Sequence, residues 1–244
     1  DEKEEYAWTT SWGASTRLIG GVIMTHGDDD GVIMPPRAAS AHVVLLPIFK
    51  KEDERRAVME YTEGLARELR RQSYHDRRLT VEIDPRDIGG ARGWDWIKKG
   101  IPLRVEIGAR EVRENTVFVG RRDKPHQERS ALKREAFAAE IAGILDDIQN
   151  SLFARAAAFR KEHCAEIDDR GEFYDYFTPR NIEKPEIHGG FAFSGWCGSA
   201  ECEAKIKEDL TVTIRCIPFE DAGRQAACIA CGRTGPRVVF AKAY

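Results

Sequence analysis

The sequence Val43-Val44-Leu45-Leu46-Pro47-Ile48 is a short apolar run of the kind that forms a buried β-strand. A polar segment, residues 52–72, follows it after a short break. The apolar residues of that segment recur at helical spacing, and they are Val58, Tyr61, Leu65 and Leu69. The two segments therefore predict one strand followed by one amphipathic helix.

The alternation of strands and helices continues downstream. Further strands are predicted at residues 79–83, at residues 103–107 before Gly108, and at residues 116–119. A short helix is predicted near residues 94–98, after a turn at Gly89-Gly90, and a long helix is predicted over residues 129–162. Strands that alternate with helices imply a mixed or parallel sheet covered by helices, so residues 41–163 are expected to form an α/β domain.

The segment before this domain, residues 1–40, is rich in glycine, aspartate and proline. It contains one apolar helical stretch, residues 18–25, which is closed by His26-Gly27-Asp28. A segment of this size and composition is too short to bury a core of its own. We therefore expect it to be the carboxy-terminal end of a larger domain whose earlier part is not in this sequence.

The segment after the α/β domain, residues 164–244, combines short strands with pairs of cysteines. Strands are predicted at residues 191–193, 210–217 and 238–240. A unit of this size buries little apolar surface, and such units gain most from a structural metal. We expect a small α+β domain that binds a metal.

Composition limits the classes of function. The chain has 244 residues, of which 42% are hydrophobic, and its net charge of -3 comes from 38 basic and 41 acidic side chains. Any contact with nucleic acid must therefore use a local basic surface. No apolar run approaches the ~20 residues that span a bilayer, and the first residues carry no signal-peptide pattern. The expected location is the cytoplasm, with no membrane partner.

Two close pairs of cysteines lie near the carboxy terminus. They are Cys197 and Cys202, separated by four residues, and Cys228 and Cys231, separated by two. Four thiolates at such spacing predict a closed tetrahedral zinc site with a structural role, against the alternative of ordinary buried cysteines. The remaining cysteines, Cys164 and Cys216, are expected in the core.

The stretch Ser11-Trp12-Gly13-Ala14-Ser15-Thr16-Arg17 precedes the predicted helix of the first segment. Its glycine allows close backbone approach, and the planar fork of Arg17 can bind a phosphate group. The alternative is an arginine at a helix start that pairs with the acidic run Asp28-Asp29-Asp30.

Aromatic and basic residues alternate around the predicted strand at residues 103–107, and they are Trp94, Trp96, Lys98, Arg104 and Arg110. Such a surface suits a single-stranded RNA loop whose bases stack on rings and whose edges bind arginine. The alternative is that the tryptophans are core residues and the charges are solvated.

Residues 8–20, with the segments 24–31 and 35–38, closely resemble motif 3 and the region after it in prolyl-tRNA synthetases, which are class II enzymes. The resemblance implies that Arg17 contacts the phosphates of ATP, which the parent enzyme uses with magnesium. It also implies that Ser11, Trp12 and Gly13 lie against the prolyl-adenylate pocket.

Residues 93–110 resemble the anticodon-binding domain of class IIa synthetases. In the prolyl family, the positions of Arg104 and Arg110 carry basic residues that read the two anticodon guanines, and Lys98 lies in the same tRNA-binding stretch. Where the family often has a glutamate, this chain has Ile97. The role of that glutamate as a hydrogen-bond acceptor is then expected to fall to Asp95 or Glu106.

The last region resembles the carboxy-terminal domain of the archaeal and eukaryote-like prolyl-tRNA synthetases, above all in residues 237–244. The resemblance implies that the terminal Tyr244 turns toward the catalytic site. It further implies an enzyme that joins L-proline to tRNAPro with ATP and forms a homodimer through its missing catalytic part. Motif 1, the motif 2 arginine and the proline-gating loop have no counterpart here, so the chain alone is expected to be inactive. The alternative is a free-standing tRNA-binding module or accessory regulator.

Overall fold

The structure is a computed structural model that describes residues 4–49, 51–181, 183, 188–220 and 223–242. The chain divides into two compact units, Asp1–Ala156 and Ala157–Tyr244. The division falls inside a helix and joins the first forty residues to the α/β part, while the three expected domains remain a prediction. The expected position of Tyr244 concerns a residue outside the described part of the chain.

A five-stranded mixed sheet forms the centre of the first unit. The strands of this unit are β1 (Val43–Pro47), β2 (Ser73–Tyr74), β3 (Arg77–Arg78), β4 (Val81–Ile83), β5 (Leu103–Ile107), β6 (Thr116–Arg121) and β7 (Arg129–Lys133). Their order in the sheet is β4-β1-β5-β6-β7, and β2 and β3 form a separate hairpin. The pairs of β1 with β4 and with β5 are parallel, whereas β5, β6 and β7 pair antiparallel. The mixed sheet confirms the predicted α/β class.

The central strand β1 is buried on both faces, as its unbroken apolar run predicts. Val43 and Leu45 belong to the main core, whereas Val44 and Leu46 pack in a second cluster with Ile101. Because successive side chains of a strand point to opposite faces, this alternation means that an apolar cluster packs against each face of β1.

The helices that cover the sheet carry periodic apolar faces. The helices of the chain up to residue 162 are α1 (Arg17–His26), α2 (Glu52–Arg70), α3 (Gly90–Lys98), α4 (Ala109–Glu114) and α5 (Arg134–Glu162). Leu65 and Leu69 of α2 and Ile141 and Leu145 of α5 are fully buried in the main core. Each such side chain contributes about 1.5 to 3 kcal/mol to stability when it leaves water.

The predicted start of the long helix is wrong. Residues 129–133 were expected to begin the long helix, but they form β7, which pairs with β6 from Thr116 opposite Lys133 to Gly120 opposite Arg129. Because β7 is a largely exposed edge strand, its own residues lack the apolar alternation that marks a strand. Its structure is fixed by the partner strand.

The second unit is an α+β structure around a mixed sheet. Its elements are β8 (Cys164–Glu166), α6 (Arg170–Phe177), β9 (Phe191–Gly195), α7 (Ala200–Leu210), β10 (Val212–Cys216), β11 (Gln225–Ala227) and β12 (Thr234–Lys242). The sheet order is β10-β12-β9-β8, and β11 pairs with the start of β12. In this sheet β9, β12 and β10 pair antiparallel, and β8 pairs parallel to β9. Phe173, Phe177 and Phe240 fill its core, with edge-to-face ring contacts at about 5 Å. Leu210, expected in a strand, closes α7 instead.

Among the helices of the described residues, none combines the length and the apolar character needed to cross a membrane.

Candidate functional site

A cavity of about 450 Å³ opens beside β5 in the first unit. Its walls come from the end of β1, the start of α3, strand β5 and the segment before β7. The polar and aromatic side chains that line it include Trp94, Arg104, Glu106, His126 and Arg129. We call this cavity the β5 groove.

Arg104 is a buried cation at the floor of the β5 groove, with only 6% of its surface exposed. It stands opposite Gly120 of β6, and a Cβ atom on Gly120 would lie 3.1 Å from its Nη2 atom. The missing side chain therefore provides the space that the guanidinium occupies. Burial, together with the nearby positive charge of Arg129, lowers the pKa of Arg104 to about 10.

The guanidinium of Arg104 has no protein partner among the residues that the structure describes. Within the described residues it donates no hydrogen bond and forms no ion pair. A buried charge without a protein partner costs free energy unless water, an ion or a ligand completes its hydrogen bonds. Its five N–H donors are therefore available to a ligand in the groove.

Glu106 lies two residues further along β5, on the same face as Arg104, and also lines the groove. Its Oε1 atom accepts a hydrogen bond from Nη1 of Arg129 at 2.7 Å. Arg129 starts β7 and stands opposite Gly120, so Arg104, Gly120 and Arg129 form one row across three strands. The hydrogen bond from Arg129 holds the carboxylate of Glu106 beside this row.

Helix α3 forms one wall of the groove and is anchored by the buried carboxylate of Asp84. This carboxylate accepts hydrogen bonds from Arg86 at 2.8 and 2.9 Å and from Nε1 of Trp96 at 2.6 Å. The bond from Arg86 holds the pKa of Asp84 well below its usual range. Trp96 packs on the second apolar cluster, whereas Trp94 is 38% exposed and its ring centroid lies 5.0 Å from that of His126. One tryptophan is therefore structural and the other faces the groove.

The second unit gathers four cysteines into one cluster. The Sγ atoms of Cys197, Cys202, Cys228 and Cys231 all lie within 4.8 Å of one another. Cys197 Sγ is 3.7 Å from Cys202 Sγ and 3.7 Å from Cys231 Sγ. Four thiolates bound to zinc at about 2.3 Å would lie ~3.8 Å apart in a tetrahedron, so the cluster fits zinc in size and in donor type.

Close backbone contacts bring the two cysteine pairs together. A side chain on Gly195 would collide with the carbonyl of Ala227, and one on Gly235 would collide with the carbonyl of Trp196. The second pair sits in a tight turn in which Gly232 N donates to Cys228 O at 2.8 Å, with Gly232 at a φ of 77°. Glycine is therefore required on both sides of the cluster.

Arg233 adds a positive charge beside the sulfur atoms. Its Nε atom lies 3.4 Å from Cys231 Sγ, and Nη2 lies 3.6 Å from Cys197 Sγ. This guanidinium lowers the pKa of Cys231 to about 6. Thiolates are the form that binds metal, and their hydrogen-bond partners tune that binding.

The two cysteines outside the cluster differ in exposure. Cys164 of β8 is half-buried. Cys216 is exposed at the end of β10, so its expected core position is wrong.

Comparison with known proteins links the two halves of the chain. Residues 42–143 match the family described as "Anticodon binding domain", and residues 183–244 match the family described as "Prolyl-tRNA synthetase, C-terminal". Proline--tRNA ligase of Protochlamydia amoebophila is 46% identical over 98% of the chain. The chain is therefore similar to prolyl-tRNA synthetases along nearly its whole length.

Other prolyl-tRNA synthetases show the same similarity. Proline--tRNA ligase 2 of Anaeromyxobacter dehalogenans is also 46% identical, again over 98% of the chain. The crystal structure of prolyl-tRNA synthetase from Cryptosporidium parvum complexed with L-proline and AMP superposes with a TM-score of 0.80 at 25% identity, over 94% of this chain and 46% of that one. The chain spans about half the length of the curated relatives it matches, 48% in both cases.

The structure places the predicted RNA-binding residues at different points. Arg104 lies in the β5 groove. Lys98 is exposed at the end of α3 and does not line the groove, and Arg110 is exposed on α4, where it pairs with Glu114 at 3.1 Å. Asp95, one of the two expected acceptors, pairs with Arg86 at 3.1 Å outside the groove lining. Of the two expected hydrogen-bond acceptors, Glu106 lines the β5 groove and Asp95 does not.

The motif 3 segment leaves its predicted residues exposed. Ser11, Trp12 and Gly13 lie in a segment without regular secondary structure before α1, and Arg17 is the first residue of that helix. In the described part of the chain no ion pair joins Arg17 to the aspartate run, because Asp28 pairs with Arg122 instead. The alternative role for Arg17, pairing with this run, is therefore not observed.

Sequence reasoning did not find Gly120, His126 and Arg129. Gly120 and Arg129 reach Arg104 only through the antiparallel register of three strands, which no local pattern encodes. The one available signal was the glycine inside the strand 116–121, since an isolated glycine in a strand often marks close approach of another group.

Proposed function

We propose that the chain supplies the carboxy-terminal half of a proline–tRNA ligase. The whole enzyme would activate L-proline with ATP to prolyl-adenylate and transfer the proline to tRNAPro. In this proposal residues 1–40 end the class II catalytic domain, residues 41–163 bind the anticodon, and residues 164–244 form a zinc-binding domain. The names of the matched relatives support it.

The observation that carries the proposal is the unpartnered Arg104 in the β5 groove. Anticodons for proline end in two guanines, because proline codons begin with two cytosines. Arginine binds guanine through O6 and N7 with two parallel hydrogen bonds. Arg104 would read one guanine and Arg110 the other, while Lys98 contacts the same loop.

The exposed ring of Trp94 suits the same ligand. Proteins recognise single-stranded RNA loops by stacking unpaired bases on aromatic rings and by hydrogen bonds to the base edges. The β5 groove offers both kinds of contact within one cavity. This combination favours an RNA loop over a purely charged ligand such as a phosphate.

Arg17 would act in the catalytic domain of the whole enzyme. Adenylate formation depends on holding the carboxylate in line with the α-phosphorus and on cations that offset the developing charge. Arg17 would supply one such cation at the ATP phosphates, with magnesium as the usual partner of the nucleotide. Ser11, Trp12 and Gly13 would line the adjacent prolyl-adenylate pocket.

The cysteine cluster would hold a structural zinc ion through Cys197, Cys202, Cys228 and Cys231. With four protein ligands the site is closed, so the ion would cross-link the chain and would not bind substrate. The cross-link joins the segment after β9, the start of α7 and the turn before β12. A small unit with one aromatic core gains stability from such a link.

The assembly and the location follow from the same proposal. The whole enzyme would form a homodimer through the catalytic part that is not in this sequence, and it would work in the cytoplasm, where proteins are made.

The competing function is a free-standing tRNA-binding module or an accessory regulator. The relatives named as ligases favour the enzyme.

The test is the binding of the chain to a 17-nucleotide stem-loop with the proline anticodon, measured by fluorescence anisotropy. We expect tighter binding than to the same stem-loop with both guanines replaced by adenines. Equal affinity for the two RNAs would overturn the proposal. Arg110→Ala in the same assay should weaken binding of the guanine loop selectively, whereas a phosphate contact would weaken both loops alike.

A further inference from the structure

The carboxylate of Glu106 is held in place but is only partly used. Arg129 donates to its Oε1 atom at 2.7 Å, while Oε2 accepts no hydrogen bond from any residue that the structure describes. The guanidinium of Arg129 also lies 5.9 Å from the ring centroid of Phe118, which limits its freedom to move. Oε2 therefore remains available in the β5 groove, and Oε1 keeps a second lone pair that can accept another hydrogen bond.

Arg104 and Glu106 offer opposite hydrogen-bonding character on one face of a single strand. The side chain of Arg104 can only donate, and an ionised glutamate can only accept. Gly120 keeps the space above the sheet free for Arg104, and Arg129 fixes Glu106 from the far side. A ligand in the groove therefore meets donors and an acceptor at fixed separation along β5.

Guanine has the complementary pattern. Its O6 and N7 atoms accept, and its N1–H and N2 amino groups donate on the adjacent edge. Adenine carries an amino group where guanine has O6, and it has no N1–H. A pair of fixed donors and a fixed acceptor would therefore bind guanine and reject adenine at both ends.

We propose that Glu106, positioned by Arg129, accepts the N1–H and N2 amino hydrogen bonds of an anticodon guanine whose O6 and N7 atoms bind Arg104. This inference rests on the proposed anticodon-binding function and assigns the acceptor that discriminates the base. Asp95 is less suited, because it lies outside the groove and is bound by Arg86. Ile97, which is 5% exposed, offers no polar group at all.

Inosine isolates the contact to the N2 amino group, because it lacks that group but keeps O6, N7 and N1–H. The experiment measures binding of the chain to the proline stem-loop with guanine, inosine or adenine at one anticodon position at a time. For one of the two positions we expect the wild-type chain to bind guanine about tenfold more tightly than inosine, and inosine more tightly than adenine. Glu106→Ala should abolish the preference for guanine over inosine and retain the preference over adenine.

Controls address folding and position. Glu82→Ala removes an exposed carboxylate on the neighbouring part of the sheet, in β4, and should keep the full preference for guanine. Arg129→Ala frees Glu106 from its ion pair and should reduce the preference by several-fold without abolishing it. Circular dichroism and the urea midpoint check that each variant is folded, and the inosine comparison on the wild-type chain needs no variant.

The outcomes distinguish this inference from the proposed function. A wild-type chain that prefers guanine and inosine equally over adenine would overturn the role of Glu106 and leave anticodon binding intact. A Glu106→Ala chain that keeps the tenfold preference for guanine over inosine would do the same. A wild-type chain with no preference among the loops would overturn the proposed function itself.

Discussion

Arg122 and Asp28 form a bidentate ion pair, with Nη1 to Oδ2 at 2.8 Å and Nη2 to Oδ1 at 2.6 Å. Arg122 is 4% exposed and also donates to the carbonyl oxygens of Ile97 and Gly31 at 3.0 Å. The pair lowers the pKa of Asp28. One side chain thus joins the turn after α1, the end of α3 and the end of β6.

Arg122→Ala should destabilise the first unit by about 2 kcal/mol, mainly because it leaves two carbonyl groups without their donor, whereas the half-exposed carboxylate of Asp28 can be rehydrated. Urea unfolding of the chain measures this loss. Arg113→Ala, an exposed arginine on α4, is the matched control and should change stability by less than about 0.5 kcal/mol. Equal effects of the two replacements would contradict the structural role of Arg122.

His42 should make stability depend on pH. Its ring is fully buried, Nδ1 accepts from Thr80 N at 2.9 Å, and Nε2 has no partner in the described structure. Burial, with the charge of Arg77 nearby, lowers the pKa of His42 to about 4. The unfolded chain binds a proton near pH 6.5 and the folded chain only near pH 4, so unfolding takes up a proton between these values.

The free energy of unfolding should therefore fall as the pH drops from about 6.5 to 4, by up to about 1.4 kcal/mol per pH unit from this group. Urea midpoints of the wild-type chain and His42→Gln at several pH values measure the difference. The slope for the variant should be shallower in this window. Identical slopes would mean that His42 titrates alike in the folded and unfolded chains.

The cysteine cluster should carry close to one zinc ion per chain, measured by elemental mass spectrometry. Cys228→Ser should lower the zinc content and the unfolding temperature of the second unit by roughly 10 °C or more, because a structural zinc contributes several kcal/mol. Cys216→Ser, outside the cluster and exposed, is the control and should change neither. An unchanged unfolding temperature after complete chelation of metal would show that zinc does not stabilise the second unit.

The chain alone should not catalyse proline-dependent exchange of pyrophosphate into ATP. Arg17 is the one predicted phosphate ligand in it, and a single exposed cation does not position a nucleotide and an amino acid together. The full-length ligase of Protochlamydia amoebophila serves as the positive control. Robust exchange by the 244-residue chain would contradict this account.

Local sequence patterns predicted the strands and helices whose own residues favour that structure. Strand 103–107 and the helix that follows β1 lie where apolar pattern and glycine position placed them. The cysteine cluster was predictable as well, since close spacing within each pair already limits the geometry. In each case the information lies within a few consecutive residues.

The groove was only partly predictable. Arg104 was found because its stretch resembles a known one, but its burial and lack of a partner depend on Gly120 and Arg129, far away in the sequence. The edge strand β7 was missed for the same reason, since its pairing with β6 determines it. Contacts between distant strands follow from register, which the sequence does not display locally.

The role proposed for Arg104, binding of an anticodon guanine, is tested by an RNA-binding comparison. The chain and Arg104→Ala are compared for binding to the proline stem-loop and to the same loop with adenine at one guanine position, over a range of salt concentrations. Arg104→Ala should weaken binding of the guanine loop by ~1 to 3 kcal/mol, remove the preference over adenine and leave most of the salt dependence. Equal weakening of both loops, with the slope of log affinity against log salt reduced by about one, would instead identify a phosphate contact and contradict the proposed role of Arg104.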